Sequence, residues 1–400
     1  MLAFSHSSPM DIQDEEGKNN MSEFMELMKE GWDNFPSVRR MQVDESAIAE
    51  TLDLLTNANG LPAHRHEYLV KEAITTSDFP TLLGNVIDRQ LIANYKLPST
   101  ISEWRRYIKV APGGVPDFND VERNRVDGLD QRLLPVSDGV FQPVKPSSTQ
   151  YKYALDTYGR VFDITRKALI NDALGAFADI PTRFARAALR AEAYFATSLY
   201  VASTGPKTTF FGASISDAGQ TITNLGALPL TITNLETTLT YMSEQKDPQG
   251  EAIEIEGVHL VVPPALYLTA LSVVGSDIKM YVDSGGAAGI PYPTYNVLKD
   301  MPITVHKNPT LNTIDTSAKV RTTWYVFADP SEAAAIEVGF LRGQEAPEIC
   351  MQKSDKMSVG GGEMSAFSGS FASDKIAYRV RHDMGGATMD PRMAYAQTGS

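Results

Sequence analysis

The chain has 400 residues, and acidic side chains outnumber basic ones to give a formal net charge of −13. This balance argues against a protein whose main task is to grip DNA, because phosphate contacts require a basic surface. A hydrophobic content of 42% and a charged content of 21% are typical of a folded protein. The single cysteine, Cys350, rules out an internal disulfide and fits a reducing compartment. No apolar run reaches the roughly 18 residues of a membrane span, so we predict no membrane contact.

The first 75 residues contain two short amphipathic stretches joined by polar linkers. In "MSEFMELMKEGW", Phe24, Leu27 and Met28 share one helical face, and "VDESAIAETLDLLTNANG" repeats the pattern. Two such helices bury too little surface to form a domain. We therefore predict an arm that lies on another surface. A third amphipathic helix is predicted in "TTSDFPTLLGNVIDRQLIANY".

A long hairpin is predicted next. "FNDVERNRVDG" and "TQYKYALDTYG" alternate in the manner of strands, and the segment between them is rich in turn residues. Because an isolated two-stranded hairpin is at best marginal in water, we expect this projection to need a partner surface.

The segment from Gly159 onward predicts a strand, a short helix and a long helix. "GRVFDIT" is strand-like, and "RKALINDALGAF" is a short helix that Gly175 ends or bends. A longer helix is predicted from Ile180 to Tyr200, with Pro181 at its first position. Its predicted buried face comprises Ile180, Phe184, Ala188, Ala191, Phe195 and Leu199. Beside this face runs a stripe of three arginines, Arg183, Arg186 and Arg190.

The second half alternates helices and strands, which predicts a compact α/β unit. A helix is predicted after a capping box at Thr233 and Glu236, and another between Pro264 and Gly275. Strands are predicted in "GVHLVVP", "MPITVHKN", "TTWYVFAD" and "AAIEVGFL". The last strand is predicted in "KIAYRVRHDMGGATMDPRMAY", with the apolar residues Ile376, Tyr378 and Val380 on one face, opposite Arg379 and Arg381.

Candidate chemical sites are few. His64 and His66 alternate like two metal ligands, but no third ligand completes a pattern, and a solvated linker explains them. His259 and His306 lie in strand-like runs and are interpreted as core or edge histidines. The glycines of "SVGGGEMSAFSGS" lack the lysine and the strand-to-helix frame of a phosphate loop.

Candidate nucleophiles and catalytic acids are also few. No G-x-S-x-G elbow occurs, Cys350 has no base nearby and is interpreted as a buried structural cysteine, and Glu254 with Glu256 fits a solvated strand edge. The sequence therefore predicts no enzyme and no cofactor. A metal-dependent hydrolase is the alternative from another functional class.

Three stretches carry a resemblance. "TTSDFPTLLGNVIDRQLIANY", "DTYGRVFDITRKALINDALGAF" and "DKIAYRVRHDMGGATMDPRMAY" resemble the major capsid proteins of tailed bacteriophages, in particular the Mu-like prophage major head subunit group. The resemblance implies an α+β fold of the Hong Kong 97 type. The implied segments are an arm (1–75), a helical region of the peripheral domain (76–110), an extended loop (111–157), a peripheral domain with a spine helix (158–225), an axial domain (226–345) and returning peripheral strands (346–400).

The resemblance also implies contacts between subunits. In the extended loop they would be made by Arg123, Arg125, Arg132, Lys145 and Lys152. In the spine helix the residues are Arg183, Arg186 and Arg190, and in the peripheral strand they are Arg379, Arg381 and Asp383.

By this resemblance, copies form pentamers and hexamers that close into an icosahedral shell around double-stranded DNA, with only weak, non-specific contact to that DNA. A separate scaffold protein and a portal are expected partners, and the stability of the shell is expected to come from the arm, the loop contacts or a separate decoration protein. The protein is expected in the virion, after assembly in the bacterial host cytoplasm. Some relatives join subunits through a lysine and a late asparagine, but no asparagine follows Asn312 here, so a non-covalent shell is expected. An encapsulin-type cellular compartment, which uses the same fold, is the alternative.

Overall fold

The computed structural model describes residues 91–96, 100–127, 147–165, 174–217, 220–247, 250–253, 255, 257–282, 291–331, 334–361 and 370–399. The arm and most of the third predicted helix lie outside these residues. The described end of that helix, residues 91–96, is helical. The described part of the chain contains no helix with both the length and the apolar character needed to cross a bilayer.

The elements follow one another in chain order. The strands are β1 (Lys109–Val110), β2 (Val121–Asp127), β3 (Ser147–Tyr153), β4 (Leu155–Thr165), β5 (Val201–Ala202), β6 (Gly205–Pro206), β7 (Ile215–Asp217), β8 (Gln220–Ile222), β9 (Leu225–Gly226), β10 (Val258–Val262), β11 (Ile278–Val282), β12 (Pro291–Tyr295), β13 (Ile303–Lys307), β14 (Trp324–Ala328), β15 (Ile336–Phe340), β16 (Glu348–Met351), β17 (Lys375–Thr388) and β18 (Ala394–Gln397). The α-helices are α1 (Leu174–Ser198), α2 (Ile232–Ser243), α3 (Tyr267–Gly275) and α4 (Leu311–Ile314). Short 3₁₀ helices span Thr100–Arg106, Val297–Lys299 and Pro391–Met393.

The chain divides into two compact units. The first takes residues 1–98, 157–189 and 342–383, and the second takes residues 99–156, 190–341 and 384–400. Both α1 and β17 begin in the first unit and end in the second.

The second unit is built on a sheet in the order β13-β10-β14-β18-β9. Its central strands β10, β14 and β18 are buried along their whole length. Continuous apolar runs predicted β10 and β14. The single last strand that was predicted through Tyr395 is wrong, because the 3₁₀ helix Pro391–Met393 separates β17 from β18. Neighbouring residues of these strands pack into two clusters on opposite faces of the sheet. Val261 and Phe327 pack with the 3₁₀ helix Thr100–Arg106 and the end of α1. Val262 and Val326 pack with α2 and α3 on the opposite face.

The first unit holds the outer strands of a second sheet. The first part of β17 pairs antiparallel with β16, from Arg381 opposite Glu348 to Tyr378 opposite Met351, and it also pairs with β4. The predicted alternation is confirmed here, because Ile376, Tyr378 and Val380 are buried whereas Arg379 is exposed. Cys350 is partly exposed rather than buried, since its strand β16 lies at the end of this sheet.

The long helix differs from its predicted form. It begins at Leu174, not Ile180, and continues through Gly175 and Pro181 to Ser198. A proline removes one backbone hydrogen bond, and here the packing of the later turns outweighs that loss. The buried face is also rotated relative to the predicted face. Its buried side chains, four of them alanines, are Ala185, Ala188, Leu189, Glu192, Ala193, Ala196 and Thr197. Alanines allow close approach of neighbouring elements, so the predicted phenylalanines lie at the border of the buried face.

Two other helix starts were placed wrongly. The side chain of Thr231, not Thr233, caps α2 by accepting a hydrogen bond from the Asn234 amide. Helix α3 begins at Tyr267 because Pro263 and Pro264 form a turn before it, but it ends at Gly275 as predicted.

Candidate assembly interface

Strands β2 and β3 form the predicted hairpin. They pair antiparallel from Val121 opposite Tyr153 to Asp127 opposite Ser147. The side chains alternate between two faces. Arg123 and Arg125 lie on a partly buried face, whereas Glu122, Asn124, Gln150 and Lys152 are exposed on the other.

Arg123 binds a buried acid of its own chain. Its Nε donates to the Glu337 Oε1 atom at 2.7 Å, and the Tyr153 hydroxyl donates to the same oxygen at 2.7 Å. Glu337 is the second residue of β15 and is 3% exposed. Its charge is therefore compensated from the hairpin.

Arg125 binds two acids of its own chain. Its Nη2 lies 3.0 Å from Asp217 Oδ2, and its Nη1 lies 2.6 Å from Asp390 Oδ2. The same guanidinium donates to the Tyr151 hydroxyl on the facing strand at 2.8 Å. The short hairpin β7–β8 contributes Asp217, and the turn after β17 contributes Asp390.

A second arginine completes this group. Arg392 is 1% exposed, donates to Asp217 Oδ2 at 2.5 Å and to Asp390 Oδ1 at 3.2 Å, and donates through Nε to the Lys246 carbonyl at 2.9 Å. Burial alone would raise the pKa of Asp217, but the hydrogen bonds from Arg392 and Arg125 lower it below its usual range. The two arginines and two aspartates form a charge-balanced network at neutral pH.

Glycines allow the foot of the hairpin to approach the sheet closely. A Cβ atom at Gly385 would lie 2.2 Å from the Ala154 carbonyl oxygen, and one at Gly339 would lie 2.8 Å from Val115. Tyr153, Leu155 and Val115 form a small buried cluster at this point. The hairpin is therefore fixed to its own subunit by apolar packing and by ionic contacts.

The remaining loop residues differ in their placement. Lys152 pairs across the exposed face of the hairpin with Glu122, with 2.6 Å between Nζ and Oε1. Arg132 and Lys145 lie outside the described residues. Contact of any of these side chains with a neighbouring chain stays a prediction.

The arginine stripe of α1 is exposed. Arg183, Arg186 and Arg190 recur at spacings of three and four residues and all face solvent. On the buried side of the same helix, Glu192 accepts from Arg105 Nη2 at 2.7 Å. The exposed position of the stripe is compatible with, but does not test, the predicted contact with other subunits.

The peripheral strand has mixed placement. Arg379 is exposed, whereas Arg381 binds Glu348 at 2.7 Å and Gln344 at 3.2 Å. Asp383 is buried and accepts a 2.6 Å hydrogen bond from the Thr157 hydroxyl. Both Arg381 and Asp383 thus bind partners in their own chain.

No metal centre is found in the part of the chain that the structure describes, where no three His, Cys, Asp or Glu side chains converge as ligands. His64, His66, Glu254 and Glu256 lie outside that part.

Comparison with known proteins decides the family. A family model described as phage capsid protein matches residues 149–397, more than half of the chain. The chain belongs to the phage capsid protein family. It is a major capsid shell protein, its role is structural, and its place is the virion capsid. The family and the mixed helix and strand architecture confirm the predicted α+β Hong Kong 97-type fold. The Mu-like subgroup stays a prediction.

The capsid protein is also similar to solved structures. These include Gordonia phage Cozz (14% identity, 75% of this chain and 86% of that chain, TM-score 0.41) and Mycobacterium phage Adephagia (13%, 76% and 91%, 0.43). A virus-like particle from Pyrococcus furiosus matches at 11% identity over 78% of this chain and 97% of that chain, with a TM-score of 0.39. No curated protein sequence matches.

The sequence did not point to the acids that hold the capsid protein's hairpin. No role was predicted for the acids Glu337, Asp217 and Asp390 or for Arg392, although Asp390 and Arg392 lie in the stretch "DKIAYRVRHDMGGATMDPRMAY" that carries the resemblance. A signal was present, because "DPR" places an N-capping aspartate, a proline and an arginine in one tight turn.

Proposed function

We propose that the protein assembles as pentamers and hexamers into an icosahedral shell that encloses double-stranded phage DNA, without covalent cross-links. The observation that carries this proposal is an exposed apolar face on the hairpin β11–β12, within the proposed axial domain (226–345). A folded chain that remains alone in water rarely leaves such a face uncovered.

This face is formed by side chains of both strands. Ile278 lies directly opposite Tyr295, and Met280 follows two residues later on the same side. The three are 57%, 56% and 59% exposed. On the other side of the hairpin, Lys279 pairs with Glu236 of α2, so that side already has a partner. The apolar side is the part of the hairpin that a neighbouring copy would cover in a ring.

Charged contacts between copies would supplement this apolar contact. We propose that the exposed stripe Arg183, Arg186 and Arg190, the exposed Arg379 and the outward Lys152 meet acidic side chains of adjacent subunits. Arg132 and Lys145 of the extended loop are proposed to do the same. Many weak contacts, each repeated around a closed shell, give a stable particle.

The proposed partners follow from the particle. The net charge of −13 disfavours tight adhesion to DNA, so the packaged duplex would make only weak, non-specific contact. A scaffold protein, a portal and a decoration protein are proposed partners, and assembly is proposed to occur in the bacterial host cytoplasm. We propose that the protein has no catalytic activity.

The test begins with particles purified from cells that produce the phage. Nuclease treatment followed by DNA extraction should yield protected double-stranded DNA. Particles that protect protein cargo and no DNA would favour an encapsulin-type compartment instead. A protein that sediments only as a small species would contradict a shell altogether.

The same particles test the absence of cross-links. After boiling in denaturant, the protein should run on a gel at the mass of one chain, 43.7 kDa. A ladder of covalent multimers would contradict this part of the proposal while leaving the shell itself intact.

A further inference from the structure

We propose that Arg123 and Arg125 are positioning residues: they fix the direction in which the hairpin β2–β3 leaves its own subunit, before any neighbour is bound. The resemblance implied contacts between subunits for both arginines. Their observed partners are acids of the same chain, in the same compact unit. Only the last step below, which links this direction to assembly, rests on the proposed function.

The first anchor is Arg125, and the group that receives it consists of residues outside the hairpin. Arg392 binds both Asp217 and Asp390 and is itself nearly inaccessible to solvent. These three groups carry a net charge of −1 at neutral pH. Arg125 supplies the missing positive charge and contacts both carboxylates with separate nitrogen atoms. Because a partly buried charge without a partner is costly, the receptor favours the bound position of Arg125.

The second anchor is independent of the first. Glu337 is buried in β15, and its Oε1 accepts from both Arg123 and Tyr153. Without Arg123 the Tyr153 hydroxyl would remain, but no positive charge would compensate the carboxylate. Removal of one partner of a buried ion pair is more damaging than replacement of the whole pair.

The geometry of the two anchors sets a direction. Arg123 and Arg125 are two residues apart on β2, so they lie on the same face of the hairpin and about 7 Å apart along the strand. One anchor would leave the hairpin free to swing about that point. Two anchors on one strand, together with the packed foot at Tyr153 and Leu155, leave little freedom to swing or roll. The outward face with Asn124 and Lys152 then always points away from the body.

Hydrogen exchange of the unassembled full-length protein tests the anchors directly. We compare the wild type with Arg123→Gln, Arg125→Gln and the double variant, and we read the amides of β2 and β3. Each single variant should exchange at least about tenfold faster there, and the double variant faster still. Asn124→Ala, which lies between the two arginines on the opposite face, is the matched control and should exchange like the wild type.

The conservative variants separate charge from shape. Arg123→Lys should retain much of the protection, since a single contact to Glu337 needs only one cation. Arg125→Lys should retain less, because one ammonium group cannot span Asp217 and Asp390 as the guanidinium fork does. If a glutamine variant is insoluble, Arg125→Lys carries the exchange test, because it should lose more protection than Arg123→Lys. Wild-type exchange in the glutamine variants, or in Arg125→Lys where it replaces them, would overturn the anchors.

The positioning role has its own readout. In a particle assembly assay, the double variant should give at least about tenfold fewer closed particles than the wild type. Its overall melting temperature should stay close to that of the wild type, because the loss of order is confined to the hairpin. Fast hairpin exchange with wild-type particle yield would overturn positioning and leave a purely structural pair. If the wild type itself forms no shell, the proposed function fails, and the exchange experiment still judges the anchors.

Discussion

The Nδ1 atom of His259 lies 2.9 Å from the Nε2 atom of His306, between the parallel strands β10 and β13. The outer nitrogens of the pair face carboxylates, Asp329 at 3.6 Å and Glu103 at 3.8 Å. The Tyr107 ring packs on His306, and Arg106 lies close enough to disfavour a further positive charge. The sequence predicted core or edge histidines at these positions, and the structure places both side chains in the core, where they bind each other.

This pair makes stability depend on pH above the range of ordinary carboxyl groups. Burial, then the proximity of His259 and Arg106, lowers the pKa of His306 to about 4, and burial lowers the pKa of His259 despite Asp329. The unfolded chain binds these protons near pH 6.5, before the folded chain does. The stabilisation is therefore complete above about pH 6.5 and declines as the pH falls toward 4. We expect the melting temperature to fall over this window and the slope to be much smaller in a His259→Gln/His306→Gln variant. Equal slopes in the two proteins would contradict this account.

Gly385 should tolerate no side chain. A Cβ atom there would lie 2.2 Å from the Ala154 carbonyl oxygen, and neither backbone can withdraw without disturbing the paired strands. Gly385→Ala should lower the free energy of unfolding by about 1–3 kcal/mol, as overpacking does. Chemical denaturation of the unassembled protein measures this change. Gly275→Ala, where a Cβ would meet no atom within 4 Å, is the control and should change it by less than about 0.5 kcal/mol. Equal stability of the two variants would contradict the close approach.

Asn308 links three elements inside the second unit. Its side-chain amide lies within hydrogen-bond distance of the Tyr107 hydroxyl (3.1 Å), the Thr197 hydroxyl (3.0 Å) and the Tyr200 hydroxyl (3.0 Å). Burial raises the pKa of Tyr200 to about 12, so this hydroxyl stays protonated at neutral pH. Asn308→Ala should cost about 1–3 kcal/mol of unfolding free energy, because buried hydroxyls lose their partner. Asn119→Ala, which removes an exposed contact with Asp117, should cost much less. A small effect at both positions would show that the buried amide is dispensable.

Arg186 tests the exposed stripe of α1. Because this side chain faces solvent, Arg186→Glu should leave the melting temperature of the unassembled subunit nearly unchanged. Its particle yield should nevertheless fall, since a reversed charge would repel the acidic side chains of the neighbouring subunit. Arg186→Lys keeps the charge and should assemble well. Wild-type particle yield from Arg186→Glu would place the stripe outside the subunit contacts.

Much of the fold could be predicted from local pattern. The buried strands β10, β14 and β15, the hairpin β2–β3 and the alternation of β17 follow from apolar runs and period-two alternation, which depend only on neighbours in sequence. Helix starts were less predictable. Gly175 and Pro181 are local signals for a break, and packing over the following turns of α1 overrides them.

The anchors of the hairpin could not be predicted in this way. Arg123 and Glu337 are 214 residues apart in sequence, and Arg125 and Asp217 are 92 apart. An arginine on a predicted projection has the same sequence pattern whether it binds its own subunit or the next. Only the fold, which places β7, β15 and the turn at Asp390 beneath β2, distinguishes the two.

Cryo-electron microscopy of particles assembled from the full chain tests the central claim most directly. The account predicts closed icosahedral shells with five-fold and six-fold capsomers, in which neighbouring copies cover the Ile278 and Tyr295 face. A preparation that stays monomeric at high concentration under conditions of assembly, with this face exposed to solvent, would contradict it.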